Sequence, residues 1–191
     1  LAISETFKTS RLGSNQVRIP NLSGSSYIGF INFNYKQAFD MDFNSTGSGD
    51  ISVTGVSAPA AGHYGVLFGG LSTDISNVTS ASGNITLNGT GNSTALSYFS
   101  GNIKSTAGGS ISLIGNSPAW AGFYQPYTVN ISTTTGNIAI SGNGSLGYHG
   151  VHLGGGNISA TSGNISIVGR QNGTRQGIYI AGSTNISTTA G

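Results

Sequence analysis

Asp40 and Asp42 stand two residues apart, on what reads as one face of one strand. Paired carboxylates are the apparatus of glycoside hydrolysis, and clustered acids around calcium with a basic group serve metal-assisted elimination. The 191-residue chain holds only five acids, Glu5, Asp40, Asp42, Asp50 and Asp74, and none from residue 75 onward. An outward polar pair opposite Phe39, Met41 and Phe43 is the simpler account of Asp40 and Asp42, so no catalytic residue is assigned and a non-enzyme is expected. The histidines offer little more. His63 and His149 are 86 residues apart. That is about three coils of the repeat described below, or roughly 14 Å along a stacked axis. Such a gap is too wide for zinc bound at about 2.1 Å per ligand. His149 and His152 are close together but have neither cysteine nor acid beside them. No metal and no cofactor is expected.

A second constellation is aromatic. Tyr124, His152 and Tyr179 follow one another at 28 and 27 residues, and strand alternation directs His152 and Tyr179 outward. Trp120, Tyr127 and Tyr148 occupy turn-rich segments nearby. Flat rings flanked by amides and hydroxyls suit a sugar, with apolar contact below and directional contacts at the edge. The same series also reads as cross-coil stacking that protects the sheet. Nucleic acid is not an expected partner. A net charge of +2 is small, and after residue 74 Lys104, Arg170 and Arg175 are the only Lys or Arg, scattered rather than in a stripe.

A third signal is the triplet Asn-x-Ser/Thr, which begins at twelve asparagines. Asn88, Asn92, Asn143 and Asn172, read as turn residues, are the accessible glycosylation candidates. The competing account is that corners need Asn and strands use Ser and Thr, which produces the triplet without any transferase.

All of these residues must be positioned by a repeat. Gly83-Asn84-Ile85-Thr86-Leu87 returns as Gly109-Ser110-Ile111-Ser112-Leu113, Gly136-Asn137-Ile138-Ala139-Ile140 and Gly163-Asn164-Ile165-Ser166-Ile167, its isoleucines 26, 27 and 27 residues apart. A further series, Asn102-Ile103, Asn130-Ile131, Asn157-Ile158 and Asn185-Ile186, keeps spacings of 28, 27 and 28. Between them fall Val66-Leu67-Phe68, Leu96-Ser97-Tyr98, Val151-His152-Leu153 and Ile178-Tyr179-Ile180. The expected fold is therefore all-β, a right-handed single-stranded parallel β-helix (β-solenoid) with about 27 residues and three short strands per regular coil. Handedness rests on the general preference of parallel crossovers.

One coil cannot bury its own apolar side chains, so Ile85, Ile111, Ile138 and Ile165 should form an internal column. Asn84, Asn137 and Asn164, with Ser110 at the missing place, read either as a hydrogen-bonded ladder or as uncoupled turn residues. The glycines beside them are expected to supply positive φ. Residues 1–49 are irregular and aromatic-rich, either larger coils or a transition segment, and residues 50–191 are the regular repeats, expected to be a piece cut from a longer fibre. No apolar run approaches the roughly 18 residues of a membrane-crossing helix.

The repeated Gly-Asn-Ile phrases, the Asn-Ile-Ser joins at 130–138 and 157–165, and the triplet density resemble the passenger region of bacterial two-partner-secretion proteins. Within the filamentous haemagglutinin superfamily, the closer resemblance is to the high-molecular-weight adhesins of Haemophilus and related bacteria. It covers residues 50–191 best. The resemblance implies a cell-surface or secreted fibre, exported through an outer-membrane secretion pore, that attaches to a host-cell surface glycan or protein. It also implies a cytoplasmic N-hexosyltransferase acting on matching asparagines. A spacer without its own receptor site, and more distantly a polysaccharide lyase or hydrolase, are the alternative functions.

Overall fold

The computed structural model describes residues 2–3, 17–19, 27–28, 41–57 and 64–190. The aromatic-rich stretch 29–40, with Asp40, lies outside the described residues, as does His63. Among the described residues there is no helix, and the strands stack as parallel coils of about 27 residues, a β-solenoid of about five turns.

Three sheets run along the rod. A leading face stacks Ile51–Val56, Ile85–Thr90, Ile111–Asn116, Ile138–Gly144 and Ile165–Gln171. A narrow middle face stacks Val66–Phe68, Leu96–Tyr98, Phe123–Gln125, Val151–Leu153 and Ile178–Ile180. The third face runs from Val17–Ile19 and Met41–Ser45 through Ile75–Ser80, Ser100–Ser105, Val129–Thr133 and Gly156–Ala160 to Thr184–Thr188. Ala2–Ile3 also pairs with Tyr27–Ile28. Strand phase, not length, holds the stack in register. The first interval, Ile51 to Ile85, spans 34 residues, and between Phe68 and Ile75 part of the extra chain leaves the strands as a loop. That loop is closed by Asp74, whose Oδ2 accepts from the amides of Gly70 and Leu71, both at 2.9 Å.

The internal column forms as the spacing predicts. Ile51, Ile85, Ile111 and Ile138 are in register and buried, with Ile165 above them. Each fully buried aliphatic side chain contributes about 1.5–3 kcal/mol. The middle face adds an aromatic column in which Phe68 stacks on Tyr98 at 4.8 Å, and Phe43 meets Phe68 edge-on at 6.0 Å. Gln125 follows Tyr98 in phase and is also buried. Its Nε2 donates to the carbonyls of Tyr127 and Gly155, satisfying backbone at the bend into the third face.

Both polar corners are ladders. Asp50 Oδ1 accepts from the Asn84 amide at 2.7 Å, Asn84 Oδ1 from Ser110 at 2.9 Å, Ser110 Oγ from Asn137 at 3.1 Å and Asn137 Oδ1 from Asn164 at 2.9 Å. Serine fills the interrupted place because a hydroxyl oxygen can do the same work. A second ladder links Asp42, Asn77, Asn102, Asn130 and Asn157. Asp42 and Asp50 thus sit at the acceptor ends of two ladders.

The expectation for the corner glycines is corrected. Gly83, Gly109, Gly136 and Gly163 are not among the positive-φ residues. A Cβ on Gly109 would stand 1.9 Å from the Gly83 carbonyl oxygen, and one on Gly163 1.8 Å from that of Gly136. These residues are glycine because each corner backbone closes onto the corner below, not because of a left-handed turn.

Candidate functional site

The second strand position of the middle face points away from the core, and its members are buried at Leu67 and Ser97, half-buried at Tyr124 and His152, and exposed at Tyr179. Leu67, Ser97, Tyr124, His152 and Tyr179 occupy that position in register. Parallel strands stack like on like, so an aromatic side chain recurring at the repeat spacing becomes a row along the rod. A second row lies three residues ahead of each strand, at the corner, where Trp120, Tyr148 and Arg175 fall in sequence.

The two rows interlock. Trp120 stacks on Tyr148 at 4.2 Å, while Tyr124 meets Trp120, Tyr148 and His152 edge-on at 5.5, 5.3 and 5.0 Å. His152 meets Tyr179 at 5.0 Å, and the Tyr148 hydroxyl shares a 3.0 Å hydrogen bond with His152 Nδ1. Tyr127 joins through Phe99, which lies 5.8 Å from Tyr127 and 6.2 Å from Tyr124. All six ring residues expected from the sequence, Trp120, Tyr124, Tyr127, Tyr148, His152 and Tyr179, therefore belong to one connected net. Two members are additional. Phe99 follows a buried strand residue, so its sequence neighbours suggest core. His149 is buried and stacks on Tyr179 at 4.4 Å, with an angle of 10° between the rings. The available clue for His149 was its place beside Tyr148, which belongs to the corner row.

Burial sets the electrostatics. It holds the Tyr148 phenol well above its ordinary range, so the hydroxyl keeps its proton. His152 is pushed down to about 4, first by burial and then by His149. His149 is also lowered, by burial and by Arg175, against a hydrogen bond to the Gln176 backbone. At neutral pH the two imidazoles are uncharged, and Arg175 is the cation at the rim. The arrangement offers ring edges and phenols to a partner, at Tyr127 and Tyr179 above all. Among the described residues no group of three or more His, Cys, Asp or Glu could hold a metal ion.

The glycosylation candidates divide. Asn143 and Asn172 are exposed, the first at the end of a leading-face strand and the second in a bend. Asn88 lies within Ile85–Thr90, half-buried, and not in the turn expected for it. Asn143 is likewise a strand residue, while Asn92 is a half-buried bend residue whose amide donates to Ser57. Ile-x-x-Asn-Gly reads as a turn until the strand's full length is seen.

No family model, curated protein or solved structure matches this chain. Among the described residues no helix is long and apolar enough to cross a membrane.

Proposed function

We propose that this chain is a segment of an extracellular bacterial adhesin fibre, attaching to host epithelial surfaces through glycans and acting by contact, not catalysis. The observation that supports this reading is the ring net on one side of a repetitive rod. Tyr127 and Tyr179 are its most exposed aromatic members, at 42% and 38%. The apolar C–H face of a sugar packs on such rings while phenols and amides bond its hydroxyls. A single contact of this kind is weak, but many fibres on one surface raise the effective concentration for each further contact. A cysteine-free chain of locally stacked coils also suits passage through an outer-membrane pore, each strand templated on the last. Asn143 and Asn172 are the positions we assign to a cytoplasmic N-hexosyltransferase.

A glycan and epithelial-cell binding screen of the folded chain, with and without glycosylation, is the test. Binding is expected, with a loss of at least about tenfold, or 1.4 kcal/mol, when Tyr124, His152 and Tyr179 are replaced by alanine. Retained binding by a folded triple variant sinks the face. A second reading, a spacer without its own receptor site, is favoured by one observation: Trp120 on Tyr148 and His149 on Tyr179 spend ring faces on each other. Absence of binding throughout the screen would select it.

A further inference from the structure

His149 is 6% exposed, its Nδ1 has no hydrogen-bond partner, and its ring lies flat against Tyr179. The second imidazole, His152, has its ring centre only 5.7 Å away. The titratable and charged groups facing this pair are Tyr148 beside them, Tyr124 from the coil below, and Tyr179 and Arg175 from the coil above. Three of these groups are phenols and the fourth is a cation. The chain has no carboxylate after Asp74 that could compensate a positive charge in this net. Charging a desolvated imidazole beside a second imidazole and a guanidinium is therefore opposed twice, by burial and by like charge.

The rod beneath is built differently. Apart from Asp42 and Asp50 at the ladder ends, its aliphatic columns and its Asn, Ser and Thr side chains carry no group that titrates between neutral and mildly acid pH. We propose that the aromatic face is an acid-sensitive latch: uncharged His149 and His152 keep the ring net closed at neutral pH, and protonating them opens it while the solenoid stays folded. Because the folded state lowers both imidazoles from their ordinary 6.5, His152 to about 4, the net's stabilisation is complete above about pH 6.5 and is lost as pH falls toward 4. Acid release of an attached surface follows only if the attachment reading holds. The opening itself needs no ligand.

Trp120 is the only tryptophan in the chain and lies against Tyr148, so its emission reports on the net directly. Lowering the pH from about 7.5 to 4 should shift Trp120 emission to longer wavelength, with a midpoint between about 4 and 6.5 and unchanged far-ultraviolet circular dichroism. The double variant H149Q/H152Q should show no transition. The proposal is overturned by a flat emission profile, by the same transition in H149Q/H152Q, or by circular dichroism that collapses with it. Should the double variant not fold, imidazole nitrogen resonances of the unaltered chain decide: titration of both histidines at ordinary values overturns the latch. For any glycan or cell whose binding at pH 7.5 is lost when Tyr124, His152 and Tyr179 are replaced by alanine, binding at pH 4 should fall at least about tenfold, and undiminished binding overturns the latch. Absence of binding at both pH values counts against the attachment reading alone, and the emission profile then decides the latch.

Discussion

Gly142 shows how a single missing atom shapes this molecule. It stands in register with Gly55, Gly89, Gly115 and Gly169, and a Cβ there would lie 2.0 Å from the Gly150 carbonyl oxygen. The end of each leading strand is thus pressed against the start of the middle strand, with no room for a methyl group. Gly142→Ala is expected to destabilise the fold by more than about 2 kcal/mol, read as a lower denaturant midpoint, because backbone must move at a corner shared with two neighbouring coils. An unchanged midpoint would show that the corner yields. Nothing in the order Ile-Ala-Ile-Ser-Gly marks this position, since the atom that forbids a side chain arrives eight residues later. His149 was obscured for a similar reason. Residue type raised only a metal ligand, set aside for want of a cysteine or acid beside it, whereas burial and the ring of Tyr179 make it a packed, uncharged imidazole.

At the scale of elements, the ladders have a direction. In the third-face ladder, side-chain amide N–H groups of Asn77, Asn102, Asn130 and Asn157 donate toward the preceding coil, so the positive ends of the amides point at Asp42. Asp42 Oδ1 also accepts from the Asn77 backbone amide at 3.1 Å. Asp42→Ala should cost about 1–2 kcal/mol, and Asp42→Asn, which keeps an acceptor oxygen, should recover most of it in the same unfolding measurement. Equal losses in both variants would mean that the aspartate's charge, not its acceptor oxygen, supports the ladder. The ladder of Asn84, Ser110, Asn137 and Asn164 was one of two readings open from spacing alone, and the hydrogen bonds decide for it. The aspartates at the ladder ends were harder to read, because acids close in sequence suggest chemistry before they suggest a cap.

For the whole molecule, stability is approximately a sum of coils and of the interfaces between neighbours. Ile138 is buried with a coil on either side, while Ile178, in the last coil described, is 39% exposed. Ile138→Ala should therefore cost about 2–5 kcal/mol and Ile178→Ala less than about half as much, compared by denaturant unfolding. Similar costs would indicate that the exposed coil is held by contacts other than stacking. The solenoid, its period, its three strands per coil and the inward isoleucines were determined by the sequence alone, because like residues recurring at one spacing can bury themselves only by stacking. Which residues meet around the corners was decided by tertiary structure. Trp120, Tyr124, Tyr148, His149 and Tyr179 form one net because different phases of successive coils converge on a narrow face. That convergence depends on the width of the face and the sharpness of its corners, which the repeat spacing does not encode.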